Sequence, residues 1–322
     1  MLLAGLAIAI GLPVLLWSAG KFVDGAASVA NHFGISPLLI GMLIIGFGTS
    51  APEIIVSIFA AIQGNSGIAL GNAYGSNIAN ILLILGLTAV ISPIAVKSNI
   101  IKKELPVLLG ITFFACWQVL DQEVSKDDAF SLLGLFVLLI SWSIWHGLKG
   151  DKDALAEEYS DEISASEGTV KTHVIWMLAG LLLLVASSRM LVWGAVEVAT
   201  FFGVSDTIIG LTVIAIGTSL PELASSLAAV RKGEHDLALG NVIGSNMFNT
   251  LAVVGIAGTI QPMTIEADFL YRDVLMMLAS TVALFIFCIG IKRQGRLNRL
   301  EGASFVGVYV LYTYFLVTVA FA

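Results

Sequence analysis

The sequence predicts an all-α polytopic membrane protein: ten transmembrane helices in two inverted five-helix repeats, with broken, proline-containing helices at the centre. Three observations predict this fold class. Hydrophobic residues make up 57% of the 322 residues and charged residues only 12%, with a mean hydropathy of +0.95, unlike a soluble domain. The apolar segments are long and continuous, as membrane-spanning helices of about 20 residues require. The second half of the chain also repeats the first at a constant offset.

The apolar segments divide into ten predicted spans separated by short polar stretches. Their lengths favour helices, because strands of a membrane barrel would show alternation with period two. The predicted spans are residues 2–20, 36–62, 67–92, 101–120, 128–147, 173–195, 205–230, 236–261, 271–291 and 300–320.

The basic residues predict how these spans are oriented. No Lys or Arg precedes the first span and Lys21 follows it, the reverse of the charge order in a signal peptide, so this segment is kept as a span. With the N-terminus outside, thirteen Lys and Arg residues fall in inside loops and three in outside regions. This positive-inside bias predicts a multi-pass protein of the cell membrane with both termini outside. The three outside residues are Lys126, Arg189 and Arg272.

An internal duplication predicts the domain organisation. Adding 169 to a residue number carries Gly41 to Gly210, Asn80 to Asn249 and Pro93 to Pro262 without a gap. Each half holds five spans, and an odd number makes the second half enter the membrane from the opposite side. Such inverted repeats commonly place a binding site near the midplane where the halves meet. We expect a first repeat at 1–147, a linker at 148–172 and a second repeat at 173–322.

The predicted linker is rich in acidic residues. It includes Asp151, Asp153, Glu157, Glu158 and Asp161. A charged, serine-containing segment cannot bury a core, so we interpret it as a solvated cytoplasmic linker. A weak regulatory cation site is the alternative, but about twenty-five residues are too few for a separate regulatory domain.

Two related hexapeptides carry the strongest functional signal. Glu53 is the only Asp, Glu, Lys or Arg between Gly25 and Val96, and Glu222 is the only one between Thr207 and Val230. A lone ionisable residue inside an apolar span is a candidate ion or substrate site. The hexapeptides are Gly48-Thr49-Ser50-Ala51-Pro52-Glu53 and Gly217-Thr218-Ser219-Leu220-Pro221-Glu222.

The residues around each glutamate predict a cation site built from oxygen. A proline inside a helix removes one backbone N–H, so carbonyls near Gly46–Gly48 and 215–217 are expected to be freed. Hydroxyl groups lie within one turn of each glutamate, on Thr49, Ser50, Thr218 and Ser219. Hard oxygen ligands suit Ca²⁺, Mg²⁺ or Na⁺, and no Cys, His or Met lies beside the motif to favour zinc or copper.

A second motif follows one span later in each half. Ser76 and Asn80 are four residues apart, as are Ser245 and Asn249, so each pair lies on one helix face and can point at a common centre. The simpler interpretation is that small and amide residues let helices pack closely; we prefer it for Gly71, Gly75, Gly240 and Gly244. The motifs are Gly71-Asn72-Ala73-Tyr74-Gly75-Ser76-Asn77-Ile78-Ala79-Asn80 and Gly240-Asn241-Val242-Ile243-Gly244-Ser245-Asn246-Met247-Phe248-Asn249.

These paired motifs on two five-helix halves closely resemble the alpha repeats of the cation/Ca²⁺ exchanger superfamily, in particular its prokaryotic sodium/calcium exchanger branch. The resemblance spans nearly the whole chain. It implies ten helices, inverted repeats and antiport of Ca²⁺ against Na⁺ at a shared central site. The ligands that it implies are Glu53, Glu222, Thr49, Thr218, Ser50, Ser219, Ser76, Ser245, Asn80 and Asn249.

The chain departs from some relatives at one position, and this departure bears on the coupling ion. Some relatives carry Asp where this chain has Asn249, so these motifs supply no third carboxylate here, which weakens the resemblance to the K⁺-dependent branch. The Ca²⁺/H⁺ branch usually has a second Glu where this chain has Ser76 and Ser245. We therefore favour Na⁺/Ca²⁺ exchange over an H⁺-coupled, K⁺-dependent or other divalent-cation exchanger.

Other functional classes fit the residues less well. A passive cation channel would need a continuous pore with several occupied sites, whereas the predicted architecture of two inverted repeats has one compact acidic centre. An intramembrane enzyme could use two carboxylates that share a proton, but the adjacent hydroxyl and carbonyl groups would have no part in that chemistry. We expect a transporter with Ca²⁺ and Na⁺ as substrates, a lipid bilayer around it, no cofactor and no nucleic-acid partner.

Overall fold

The computed structural model of the chain is mostly helical and describes residues 1–33, 41–64, 66–96, 101–148, 169–201, 215–289 and 295–321. Most of the predicted linker lies outside the described residues. In the first half the principal helices are α1 (Leu2–Phe33), α2 (Ala51–Ile62), α3 (Ser66–Ile91), α4 (Ile101–Gln118) and α5 (Lys126–Leu148). In the second half they are α6 (Val170–Phe201), α7 (Leu220–Arg231), α8 (His235–Ile260), α9 (Leu275–Ile289) and α10 (Arg299–Phe321).

Within the described residues, seven helices are long and apolar enough to cross a membrane, and α2 is a shorter apolar helix. This confirms a multi-pass, mostly helical membrane protein. The predicted spans at 36–62 and 205–230 each lie partly outside the described residues, at 34–40 and 202–214. The prediction of 128–147 corresponds to α5, which has 23 residues.

Two short antiparallel strand pairs join segments that lie between the helices. Ile94–Ala95 (β1) pairs with Arg296–Leu297 (β4), and Glu123–Val124 (β2) pairs with Met263–Thr264 (β3). The purely helical prediction missed these pairs, because two residues are too short to show an alternating pattern. Each pair ties a connection of the first half to one of the second.

Helices α1 and α6 are both longer than their predicted spans, at 32 residues each. The predictions of 2–20 and 173–195 ended where polar and small residues begin. The helices continue because they pack on each other at glycines: a Cβ on Gly180 would lie 2.7 Å from the backbone N of Phe22, and one on Gly25 would lie 2.6 Å from the backbone N of Met177. Such close approach requires a residue without a Cβ.

The core lies around α3 and α8. Of the residues in the most apolar 18-residue stretch, 100% are buried in α8 and 72% in α3, but only 17% in α6. A helix that is buried all round lies at the centre of a bundle. The two helices that carry the Gly-Asn motifs are therefore the central ones.

Wider π-helical turns interrupt the regular helices at the two motifs. They cover Ala79–Leu85 within α3, Asn249–Val253 within α8 and Gly41–Gly46 before the first hexapeptide. Such turns occur frequently at functional sites in helices. Asn80 and Asn249 both lie in them.

Candidate functional site

The helix in each half is broken inside the hexapeptide. A short helix, Phe47–Thr49, ends at Ser50, whose backbone has φ −80° and ψ 3°, and α2 then begins at Ala51 with Pro52 in its first turn. The second half repeats this geometry, because Ser219 has φ −89° and ψ 6° before α7. The break places each glutamate in the first turn of a helix, where the positive end of the helix dipole favours a carboxylate.

Each glutamate is fully buried and is contacted by the serine of the opposite half. The Ser50 hydroxyl donates to Glu222 Oε1 at 3.3 Å, and the Ser219 hydroxyl donates to Glu53 Oε1 at 3.3 Å. Both carboxylates are 0% exposed. The two hexapeptides, 169 residues apart in sequence, therefore form one centre.

The serines of the second motif reach the same carboxylates. Ser76 Oγ donates to Glu53 Oε1 at 3.5 Å, and Ser245 Oγ donates to Glu222 Oε1 at 3.5 Å. Ser219 Oγ also lies 3.3 Å from Ser76 Oγ. Helices α3 and α8 thus complete the centre with one hydroxyl each.

The two threonines also contact the Gly-Asn motif of the opposite half. Thr49 Oγ1 donates to the Ile45 carbonyl at 2.9 Å and to Asn241 Oδ1 at 3.2 Å. Thr218 Oγ1 lies 3.5 Å from Asn72 Oδ1. The threonine hydroxyls therefore join the hexapeptide of one half to the Gly-Asn motif of the other.

Asn72 and Asn241 are functional-site residues that the sequence analysis missed. The Asn72 amide donates to the Glu53 carbonyl at 3.0 Å and to Ser57 Oγ at 2.9 Å. The Asn241 amide donates to the Glu222 carbonyl at 3.1 Å. These amides hold the backbone of each glutamate, and the repeated Gly-Asn dipeptide was the signal that could have found them.

Asn80 and Asn249 lie on the same helices, past Ser76 and Ser245, and make no hydrogen bond to a carboxylate among the described contacts. Asn80 Nδ2 donates to Asn246 Oδ1 at 3.0 Å, which leaves Asn80 Oδ1 without a donor. In the second half neither Asn249 Oδ1 nor Asn249 Nδ2 has a partner in the described part of the chain. Although the sequence repeats here, the amide contacts do not.

Four oxygens of the predicted ligand set are buried and accept no hydrogen bond from the described residues. A buried polar atom without a partner indicates a place that water or an ion occupies. No group of three or more His, Cys, Asp and Glu side chains that could hold a metal ion occurs in the described ranges. The centre therefore contains two carboxylates and neutral oxygens. The four oxygens are Glu53 Oε2, Glu222 Oε2, Asn80 Oδ1 and Asn249 Oδ1.

The prediction that carbonyls before the proline are freed does not hold for Gly46. Pro52 has no N–H to donate to the carbonyl of Gly48, four residues earlier. The Gly46 carbonyl, however, accepts the Ser50 N–H at 3.1 Å and the Ser245 hydroxyl at 3.3 Å. This carbonyl is occupied because α8 passes directly beside it.

Fold and site together define a multi-pass membrane protein with a buried acidic centre lined by oxygen, an arrangement suited to carrying cations. The family model described as sodium/calcium exchanger protein matches residues 3–145 and again 172–318. The chain therefore belongs to the sodium/calcium exchanger family, within the cation/Ca²⁺ exchanger superfamily.

Individual relatives agree with this assignment over almost their full length. A protein from Alkalimonas amylolytica, named CaxA and described as a candidate antiporter, is 46% identical over 98% of this chain and 99% of its own. The sodium/calcium exchanger MaX1 of Methanosarcina acetivorans is 30% identical over 95% of this chain and 96% of its own. The solved structure of the sodium-calcium exchanger NCX_Mj soaked with Na⁺ and Sr²⁺ matches with a TM-score of 0.82 and 32% identity, over 96% of this chain and 97% of that one.

Proposed function

We propose that this protein is a secondary active antiporter that exchanges Ca²⁺ for Na⁺ by alternating access at the centre between its two halves. The observation that carries this proposal is the pair of reciprocal contacts, Ser50 to Glu222 and Ser219 to Glu53. They bring two buried carboxylates from opposite halves into one centre, each with an oxygen that has no donor. The family and the name of the relative MaX1 support the same pair of substrates.

The ligands that we propose for the transported ions are all hard oxygens. The carboxylates of Glu53 and Glu222 supply charge, and the serine and asparagine oxygens supply neutral ligands. Thr49 and Thr218 are proposed to contribute through their backbone carbonyls. Ca²⁺ takes six to eight oxygen ligands in flexible geometry, so a mixed set of this kind is suited to it. The proposed ligands are Glu53, Glu222, Thr49, Thr218, Ser50, Ser219, Ser76, Ser245, Asn80 and Asn249.

Charge balance explains why the proposed transport is an exchange. Two carboxylates balance one Ca²⁺ or two Na⁺, so either loaded centre is close to neutral and can be enclosed within the membrane. The empty centre carries a charge of about −2, which is costly to enclose in a low-dielectric region. Binding of more than two Na⁺ for each Ca²⁺ would make transport electrogenic, at about 2.3 kcal/mol for each net charge per 100 mV.

The architecture that we propose for this exchange is ten helices in two inverted repeats, 1–147 and 173–322, joined by the cytoplasmic linker 148–172. Both termini then lie outside. The odd number of spans in each half and the bias of basic residues toward one side support this topology. The exchange needs no resident cofactor and makes and breaks no covalent bond, so the protein is not an enzyme.

An asymmetry in packing supports access to the centre from one side at a time. A Cβ on Gly46 would lie 3.0 Å from the backbone N of Ser245, so this part of the first half is packed against α8. Among the described residues, a Cβ on Gly71 or Gly75 would meet no atom within 4 Å. Gly71 and Gly75 are half-buried, whereas the equivalent Gly240 and Gly244 are buried; segment 202–214, which precedes the second hexapeptide, lies outside the described residues.

The decisive experiment measures ⁴⁵Ca²⁺ uptake into liposomes that contain the purified protein, under an imposed Na⁺ gradient and separately under an imposed pH gradient. We expect uptake that saturates with Ca²⁺, requires a Na⁺ gradient and does not respond to a pH gradient alone. Uptake driven by the pH gradient would assign H⁺ coupling, and a requirement for K⁺ would assign the K⁺-dependent class. Non-saturating flux without a counter-ion would contradict exchange and favour a channel.

A further inference from the structure

A buried acidic residue outside the proposed ion centre occurs at equivalent positions in the two halves. The offset of 169 residues carries Glu104 on α4 to Asp273 in the turn before α9, and it carries the preceding Lys103 to Arg272. Both carboxylates are buried, with 3% exposure for Glu104 and 5% for Asp273. The duplication has therefore kept a basic-acidic pair at one helix end in each half.

In the second half both oxygens of the Asp273 carboxylate accept hydrogen bonds. Arg272 Nη2 donates to Asp273 Oδ2 at 2.7 Å and Arg272 Nε donates to Asp273 Oδ1 at 3.0 Å. The Tyr312 hydroxyl of α10 donates to Asp273 Oδ1 at 2.5 Å. A cation and a hydroxyl from the protein itself thus balance the charge of Asp273.

In the first half the positions equivalent to Arg272 and Tyr312 hold neither an arginine nor a tyrosine. Lys103 is exposed and makes no ion pair with Glu104 among the described contacts. Helix α5 (Lys126–Leu148) aligns with α10 (Arg299–Phe321) at an offset of 173 residues, so the residue equivalent to Tyr312 is Leu139, which has no hydroxyl group to donate. Glu104 Oε2 is buried and has no hydrogen-bond partner among the described residues.

A small cavity lies beside Glu104, between α5 and α8. It has a volume of about 10 Å³, enough for about one water molecule, and Glu104 and Ser143 are its polar lining residues. The rest of its wall consists of apolar residues of α5 and of Gly244, Met247 and Phe248 on α8. The unpartnered carboxylate therefore adjoins a space for a single small ligand, with one hydroxyl nearby.

We propose that Glu104 is a proton-binding site, in which a proton takes the place that Arg272 occupies in the second half, and that a water in the cavity links the carboxyl group to Ser143. An ionised carboxylate in apolar surroundings requires a counter-charge. A proton supplies one without the five or more further oxygen ligands that a metal ion prefers. The site lies at the membrane end that the charge bias predicts to be cytoplasmic, and it does not include the proposed Ca²⁺ ligands.

In the part of the chain that the structure describes, few other charged or titratable residues lie on the elements packed against this site; Cys288 on α9 is one of them. Lys103 precedes Glu104 on α4, and its positive charge acts on the Glu104 carboxylate. On α5, His146 follows Ser143 by three residues. The cavity wall contributed by α8 is uncharged, and α9, which packs on α4, contains no Asp, Glu, Lys, Arg or His. His146→Gln therefore provides the control for a second titrating group.

The test is an infrared pH titration of the full chain in lipid, which follows the C=O stretch of protonated carboxylic acids. A Glu53→Gln, Glu222→Gln background removes the acids of the proposed ion centre, and the measurement does not depend on transport. We expect a carboxylic-acid band that disappears as pH rises, is lost in Glu104→Gln and is kept in His146→Gln. Ser143→Ala should shift the frequency of the band without removing it, because it removes the hydroxyl partner of the bridging water.

Two outcomes would overturn the proposal. One is a band that persists unchanged in Glu104→Gln, and the other is a band that Na⁺ removes at constant pH, which would make the cavity a Na⁺ site. Glu104→Asp keeps the acid and should move the band rather than abolish it, so it serves as the second variant if Glu104→Gln does not fold. Failure of Na⁺-driven Ca²⁺ uptake would leave this result unaffected.

Discussion

At the scale of single residues, the chain buries two carboxylates that have no basic residue bonded to them among the described contacts. Glu53 and Glu222 are instead contacted by serine hydroxyls from both halves. Burying an uncompensated charge in a membrane costs several kcal/mol, so a transported cation is the natural partner. The same reasoning separates these residues from Asp273, which Arg272 already neutralises.

Replacing either central glutamate by glutamine should abolish Ca²⁺ transport. The amide keeps the shape of the side chain but removes half the charge, and loss of one carboxylate–Ca²⁺ contact costs at least about 3 kcal/mol, or about a hundredfold in affinity. The measurement is Na⁺-driven ⁴⁵Ca²⁺ uptake by Glu53→Gln and Glu222→Gln in liposomes. Glu123→Gln, at an exposed position, is the matched control. Robust uptake by a well-folded double variant would rule out the proposed site.

Replacing Asn249 by aspartate should give exchange a new pH dependence. Neither polar atom of the Asn249 side chain has a partner within the described ranges, and Asp at this position would add a third carboxylate and a titrating group to the centre. We expect a change in the dependence of uptake on Na⁺ first, measured as Ca²⁺ uptake against Na⁺ concentration at several pH values. If neither dependence changes, Asn249 is a packing amide and not a ligand.

At the scale of elements, the interruptions of the helices shape the site more than the regular helices do. Because of the breaks at Ser50 and Ser219, Glu53 lies in the first turn of α2 and Glu222 in the first turn of α7. The capping position of each helix is a serine whose hydroxyl makes no capping bond and reaches the opposite glutamate instead. A hydroxyl that usually satisfies its own helix is therefore available to the centre.

The contact between α1 and α6 should depend on its glycines. In Gly180→Ala the new Cβ would lie 2.7 Å from the backbone N of Phe22, whereas in Gly5→Ala it would meet nothing within 4 Å. Alanine favours a helix by about 1 kcal/mol over glycine, but overpacking costs about 1–3 kcal/mol. Thermal unfolding in detergent should show a lower midpoint for Gly180→Ala and an unchanged or higher one for Gly5→Ala. Equal midpoints would show that the two helices can separate without cost.

At the scale of the whole molecule, the duplication produces related halves that are not identical. Each hexapeptide and each Gly-Asn motif has its counterpart. In the described part of the chain, however, the Asn80 side chain is hydrogen-bonded and that of Asn249 is not, and Asp273 is ion-paired and Glu104 is not. Inverted repeats in transporters allow one half to be closed while the other is open. A mechanism of this kind requires that equivalent positions of the two halves are packed differently in any one conformation.

The proposed topology predicts where reporters should appear. A reporter fused after Ala322 and an accessible cysteine placed near Gly64 should both report the outside, while a tag at Asp153 should report the inside, because basic residues are retained on the cytoplasmic side. The measurement is labelling of whole cells with a membrane-impermeant thiol reagent, compared with labelling after permeabilisation. Finding the C-terminus and the Asp153 segment on the same side would remove the odd-span halves, and with them the inverted repeat.

By itself the sequence determined the class of the protein, its duplication, its family and the residue types of the candidate centre. Long apolar segments, lone carboxylates and repeated motifs are local properties that a single chain displays directly. Only the tertiary structure decided that Ser50 reaches Glu222 rather than Glu53, that Asn72 and Asn241 hold the glutamate backbones, and that Glu104 adjoins a cavity. These facts depend on how segments more than a hundred residues apart approach one another, or on the space left between packed helices, and neither is encoded in any local pattern.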